Sequence, residues 1–151
     1  MPAGKRSILA INSRDEDILV LGDILGSHYT LLAAGNEEQA LDMAGQYPSP
    51  ELILLDLDSQ KMDGLEFCKK LLADSFTSLI PLILTVSEDN EEQALLGLEC
   101  GAGDYLLKPF RAGLVRVRVE NHLELKRYQE NLEKLVRIRL MRLQVTQEAT
   151  I

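Results

Sequence analysis

LILLDLDSQKMDG, residues 52–64, is the stretch on which the fold turns. Its first four residues are apolar without alternation and run straight into Asp56. A strand of that kind has neither face in water, which is the condition of a parallel sheet covered by helices on both sides. A polar loop follows, and over 64–74 the period changes, with Leu65, Cys68, Leu71 and Leu72 recurring at helical spacing. Strand, loop and helix make one βα unit.

Four further runs of strand length repeat the pattern: SILAIN at 7–12, YTLLAA at 29–34, PLILT at 81–85 and DYLLK at 104–108. Helical patterns lie between them. Residues 15–25 carry Ile18, Leu21 and Leu25; 36–46 open with Asn36 as a cap and Gln39 three residues on; 90–100 carry Ala94, Leu95 and Leu98. Gly35, Gly101 and Gly103, with Pro48 and Pro50, stand where the period changes. Five βα units predict an α/β fold with a doubly wound parallel sheet, whose chemistry belongs at the carboxyl ends of the strands.

At 151 residues the chain has room for one domain and an appendage. With 46% hydrophobic and 26% charged residues it reads as a folded, water-soluble protein, not a disordered or disulfide-stapled one. No apolar run reaches the roughly 18–20 residues of a membrane span. The opening MPAGKRSILAIN passes into strand sequence without a cleavage site, so the cytoplasm is the expected compartment. Cys68 and Cys100 sit in helical patterns and read as reduced core thiols, while His28 and His122 lack partners at ligand spacing and read as surface residues. INSRDED after the first strand holds no glycine-rich loop, which argues against flavin or dinucleotide binding.

Charge is divided unevenly. Residues 1–110 hold 7 Lys and Arg against 19 Asp and Glu, whereas 111–151 hold 9 against 5. An acidic body argues against direct nucleic-acid binding, and the basic excess, interleaved with Glu, suits a solvated helix face.

The strand ends present Asn12 and Ser13 after the first strand, Asp56 after the third, Thr85 after the fourth, and Lys108 before Pro109 after the fifth. A carboxylate can attack a phosphoryl group to form an acyl phosphate, and a hydroxyl and an ammonium beside it can hold the transferred oxygens. Taken singly, each residue is more often a cap or a surface charge; their joint placement points to phosphoryl chemistry.

LILLDLDSQKMDG, IPLILTVS and GAGDYLLKPF, in this order and spacing, resemble the receiver domain of two-component response regulators. The resemblance covers residues 6–123 and implies a cytoplasmic signalling phosphoprotein with a five-stranded sheet in the flavodoxin-like order 2-1-3-4-5. It implies that Asp56 is the phosphoacceptor, carrying an aspartyl phosphate, and that Thr85 and Lys108 stabilise the phosphoryl group. Tyr105 matches the aromatic that switches with Thr85, and the bond before Pro109 is expected to be cis. The implied partner is a histidine kinase or phosphotransfer protein.

The pattern departs from the family where two acids usually bring Mg2+ to the phosphoacceptor, because Asn12 and Ser13 stand there. Magnesium is held through one or two carboxylates, so weak binding is expected, with Asp56 and Asp58 as the remaining candidates. Asp15 and Glu16 read as first-turn acids favoured by the helix dipole. Gln60 replaces a loop proline, and Val86 replaces a small residue, which is expected to crowd the phosphodonor. The alternative is a degenerate receiver working by protein association alone. A rival from another class is a haloacid-dehalogenase-type phosphatase with Asp56 as nucleophile and Asp58 as general acid, but it requires a later acidic pair that the fifth strand lacks.

From Arg111 the chain has no Pro, and its last Gly is Gly113, so one extended helix is expected. Leu125, Tyr128, Leu132, Val136, Leu140, Leu143 and Gln147 step by 3, 4, 4, 4, 3 and 4, an apolar stripe in a stuttering heptad-like pattern. A parallel coiled-coil homodimer is expected, against the alternative that the stripe packs on the domain. The division is a receiver over 1–123 and a helical linker over 124–151, leading to an output domain outside this chain. NHLELKRYQENLEKL resembles linkers preceding cyclic-di-GMP enzymes, and TQEATI resembles the lead-in to an HD-GYP phosphodiesterase domain.

Overall fold

The computed structural model describes residues 5–46 and 48–150, with side chains as far as residue 145. Five strands, β1 (Arg6–Ile11), β2 (Tyr29–Ala34), β3 (Leu52–Asp56), β4 (Leu82–Ser87) and β5 (Asp104–Lys108), alternate with α1 (Asp15–Leu25), α2 (Glu37–Ala44), α3 (Gly64–Ala73), α4 (Glu91–Cys100) and α5 (Ala112–Thr150). The sheet is parallel throughout, in the order β2-β1-β3-β4-β5. It is the flavodoxin-like arrangement expected, and the element ends move by one or two residues.

The uniformly apolar strands divide their side chains between two cores. Leu9, Ile11, Ile53, Leu55 and Leu84 point to the face that holds Phe67, Cys68 and Leu71 of α3 and Ala94 of α4. Ile8, Ala10, Leu52, Leu54 and Ile83 point to the other, under Leu21, Ile24 and Leu25 of α1 and Val115, Val119 and Leu123 of α5. Fully burying each Leu, Ile, Val or Phe among them contributes roughly 1.5–3 kcal/mol, which is what drives helices onto both faces. Asn36 caps α2 by accepting from the Gln39 N–H at 2.9 Å, while Gln39 Oε1 accepts from Gly35 N–H. Asp63 caps α3 in the same way, through Glu66 N–H.

Two glycines allow close approach. A Cβ on Gly97 would lie 2.3 Å from Leu84 Cδ1, so the missing atom lets α4 lie against β4 with Leu84 in its present position. A Cβ on Gly64 would lie 2.9 Å from the Asp56 carbonyl oxygen, so α3 begins directly beside the end of β3.

Some sequence readings are corrected. Cys68 is buried, with its thiol pushed up to about 11 by burial, but Cys100 is exposed and not a core thiol. His122 is half-buried with Nε2 3.2 Å from Asp104 Oδ2, although His28 is exposed. Val86 is fully buried in the core on the α3 and α4 side, so it does not crowd the mouth of the site.

At about 1.5 Å per residue, the 39 residues of α5 span about 58 Å. Among the described residues, Leu123 is the last that is buried. Beyond it Leu125, Tyr128, Leu132, Val136, Leu140 and Leu143 are each at least half exposed, so the stripe does not pack back onto its own domain. Gln147 and the TQEATI stretch lie outside the described side chains. No described helix is long and apolar enough to cross a membrane.

Candidate functional site

The sheet register builds the site. Asp56 pairs with Thr85 across β3 and β4, and Ser87 pairs with Lys108 across β4 and β5, so three neighbouring strands deliver three side chains to one end. Asp56 is wholly buried; Thr85 donates its hydroxyl to Asp56 Oδ1 at 3.1 Å. Lys108 Nζ lies 2.6 Å from the same oxygen. Asp56 Oδ2 is buried and has no partner. Burial pushes the Asp56 carboxyl above its ordinary value, against the opposing pull of Lys108.

Lys108 holds two more carboxylates, Asp17 at 2.8 Å and Asp58 at 3.1 Å. Burial works to discharge the ammonium, but its three carboxylate partners outweigh it and raise its pKa. The Lys108–Pro109 peptide is cis. Tyr105, on the half-buried side of β5, donates its hydroxyl to Glu91 Oε2 of α4 at 2.6 Å, and Arg118 of α5 donates to the Tyr105 carbonyl. Tyr105 therefore ties β5 to α4, with α5 fastened to the same residue.

At the end of β1, Asn12 is buried and its Oδ1 accepts from the Arg14 N–H at 2.8 Å, while its Nδ2 donates to Asp17 Oδ2 at 3.1 Å. Ser13 Oγ lies 3.1 Å from Ser59 Oγ. Asp58 is already engaged on both oxygens, by the Ser87 N–H and Lys108 at Oδ2 and by Ser87 Oγ and Asn90 Nδ2 at Oδ1. Such an acceptor-only, ion-paired carboxylate is a poor general acid, and the phosphatase reading loses its second residue.

Sequence reasoning overlooked Asp17. It belongs to three consecutive acids in the first turn of α1, which the helix dipole explains without a site. Asp15 and Glu16 are exposed as expected, whereas Asp17 turns inward. The available signal was phase: Asp17 lies four residues before Leu21, on the buried stripe of the helix. Burial acts to raise its pKa, but the bonds from Lys108 and Asn12 prevail and hold it below the ordinary carboxylate range.

Receiver domains generally bind Mg2+ at their acidic pocket. Among the described residues no three His, Cys, Asp or Glu side chains are gathered as a metal gathers them. The pocket nevertheless fits a divalent cation in two respects. Asp17, Asp56 and Asp58 against Lys108 leave a formal charge of −2, and the free Asp56 Oδ2 is a buried acceptor without a partner.

Residues 13–120 match the family model described as response regulator receiver domain. The chain is 33% identical over 126 residues to a Vibrio cholerae protein named "probable cyclic di-GMP phosphodiesterase", covering 83% of this chain and 28% of that protein. It is 34% identical over 116 residues to the alkaline phosphatase synthesis transcriptional regulatory protein PhoP of Bacillus subtilis, covering 76% and 47%. These alignments span less than half of either relative. Among solved structures, a response regulator receiver modulated diguanylate cyclase from Pelobacter carbinolicus aligns at 32% identity with a TM-score of 0.69, covering 83% of this chain and 98% of that one. With its order of strands, its strand-end residues and these matches agreeing, the chain belongs to the response regulator receiver family.

Proposed function

We propose that this receiver takes a phosphoryl group onto Asp56 from a histidine kinase or phosphotransfer protein and passes a conformational change through α5 to an output domain. The observation that carries the reading is Asp56 itself: buried, hydrogen-bonded through Oδ1 to Thr85, ion-paired through the same oxygen with Lys108, and free at Oδ2. The Asp56 carboxylate attacks phosphorus, the bond to the donor breaks with its electron pair leaving on the donor, and an acyl phosphate remains. Lys108 and the Thr85 hydroxyl then follow the phosphoryl oxygens. When Thr85 turns, Tyr105 shares the change, since it links β5 to α4. Of the two sequence candidates for Mg2+, Asp56 keeps an unpartnered oxygen that would hold the ion, whose charge would offset that of the phosphoryl group, whereas Asp58 is engaged on both oxygens. Binding is weak because Asn12 and Ser13 replace two anions.

The division at residue 123 is supported by the burial of α5, which stops at Leu123. The exposed stripe beyond it forms a homodimer in the cytoplasm, and the helix continues to an output domain of the cyclic-di-GMP class, a reading supported by the Vibrio cholerae relative. The domain itself is no enzyme.

Intact mass after incubation with acetyl phosphate, with and without Mg2+, tests the central claim beside an Asp56→Asn control. A Mg2+-dependent adduct lost in the control is the expected result. No adduct at any Mg2+ concentration refutes the claim and identifies a degenerate receiver that works by association alone.

A further inference from the structure

We propose that Asp17 is the carboxylate that makes good the missing acid pair, and that Asp17 and Asp56 together hold the divalent cation of this pocket. The inference rests on the receiver reading of the pocket but not on phosphorylation. Three observations carry it.

Asp17 is aimed by its surroundings. The Arg14 N–H donates to Asn12 Oδ1, which fixes which end of the Asn12 amide is oxygen and leaves Nδ2 to hold Asp17 Oδ2. Lys108 fixes the same oxygen from the other side at 2.8 Å. Asn12 thus acts as a positioning residue, and the negative charge of the pair lies on α1 and not at the end of β1.

Each of the two carboxylates keeps one oxygen uncommitted. Both contacts of Asp17 run through Oδ2, so Oδ1 stays available. Asp56 likewise spends Oδ1 and keeps Oδ2, which is buried and unpartnered. Asp17 and Asp56 touch the same Lys108 nitrogen, so the two carboxylates line one pocket. Asp58 also touches that nitrogen, but Ser87 and Asn90 hold both of its oxygens, and it serves to anchor Lys108.

Charge points the same way. An acid pair, a phosphoacceptor and a lysine carry a formal −2, and Asp17, Asp58, Asp56 and Lys108 restore that value with the acids moved. A hard cation needing oxygen ligands and one or two carboxylates matches this set.

The test is Mn2+ uptake by the full 151-residue chain, read from the paramagnetic resonance of free Mn2+ without any phosphodonor, with Mg2+ as competitor. The wild type binds in the millimolar range or tighter, and Mg2+ displaces the Mn2+. Asp17→Asn weakens uptake about 10-fold or more, since even losing a partner of a metal ligand costs about that much affinity. Moving the acid back, with Asn12→Asp and Asp17→Asn together, recovers most of the affinity. Asp58→Asn has the smaller effect. Cooperative urea unfolding of each variant excludes misfolding.

Asp17→Asn binding as tightly as the wild type while folded would overturn the assignment. So would a greater loss in Asp58→Asn, or no uptake by the wild type at tens of millimolar Mn2+. Asp17-dependent uptake with no acetyl-phosphate adduct would refute the phosphoacceptor reading and keep this one. An adduct formed with Mn2+ uptake unchanged in Asp17→Asn would do the reverse.

Discussion

Replacing Lys108 by Met removes the ammonium to which three carboxylates are paired while keeping its apolar stem. Asp17 and Asp58 retain a path to water, with 15% and 14% of their side chains exposed, but Asp56 has none. The cost therefore falls on Asp56. At an effective dielectric of about 20, unit charges about 4 Å apart interact by about 4 kcal/mol. Protonation sets a ceiling of similar size, since a carboxyl with an ordinary pKa near 3.9 takes up a proton at pH 7 for about 4 kcal/mol. Burial already pushes Asp56 upward, which lowers that ceiling. A loss of about 2–4 kcal/mol at pH 7 is expected.

The sign with pH follows from the same carboxyl. Without Lys108 the folded pKa of Asp56 rises further above its unfolded value, so the variant gains stability relative to wild type as pH falls, by up to about 1.4 kcal/mol per unit. Urea unfolding at pH 7, 6 and 5 reads this as a closing gap, and adding Asp56→Asn to Lys108→Met recovers most of the loss at pH 7. A gap below about 1 kcal/mol at pH 7, or one that stays constant down to pH 5, refutes the reasoning.

Three further outcomes are expected. Gly97→Ala places a Cβ 2.3 Å from Leu84 Cδ1 and costs about 1–3 kcal/mol by overpacking, read by thermal unfolding. Asp17 contributes stability that is present above the ordinary carboxylate range and is lost as pH falls through its lowered pKa, so Asp17→Asn flattens the acid limb of the stability curve below about pH 4. The exposed stripe of α5 makes a dimer by light scattering, and Leu132→Asp with Val136→Asp yields a folded monomer; a wild-type monomer at high micromolar concentration removes the dimer.

The sheet was legible because each strand is a short run dominated by apolar residues that recurs between helical patterns, a βα alternation that periodicity picks out. Asp56, Thr85 and Lys108 were legible because strand ends are marked by where those runs stop. Asp17 was not. Three acids in one helical turn have a common explanation in the helix dipole, and only the rotation of α1, set by how Leu21, Ile24 and Leu25 seat on the sheet, selects which of them turns inward. His122 was misplaced for a similar reason, since its partner Asp104 lies 18 residues away on a neighbouring strand. Contacts that depend on how two elements dock leave no mark on the spacing of either.

Because α5 runs unbroken from Ala112 to Thr150, the far end of the helix inherits both the direction and the rotational phase of the sheet. Each residue of helix turns the path by about 100° and lengthens it by about 1.5 Å. One residue deleted between 124 and 131 therefore swings everything beyond it about a quarter-turn, while deleting seven returns it nearly to its first bearing about 10 Å nearer. The rod is a protractor as well as a spacer, and its length is a setting that signalling geometry cannot ignore.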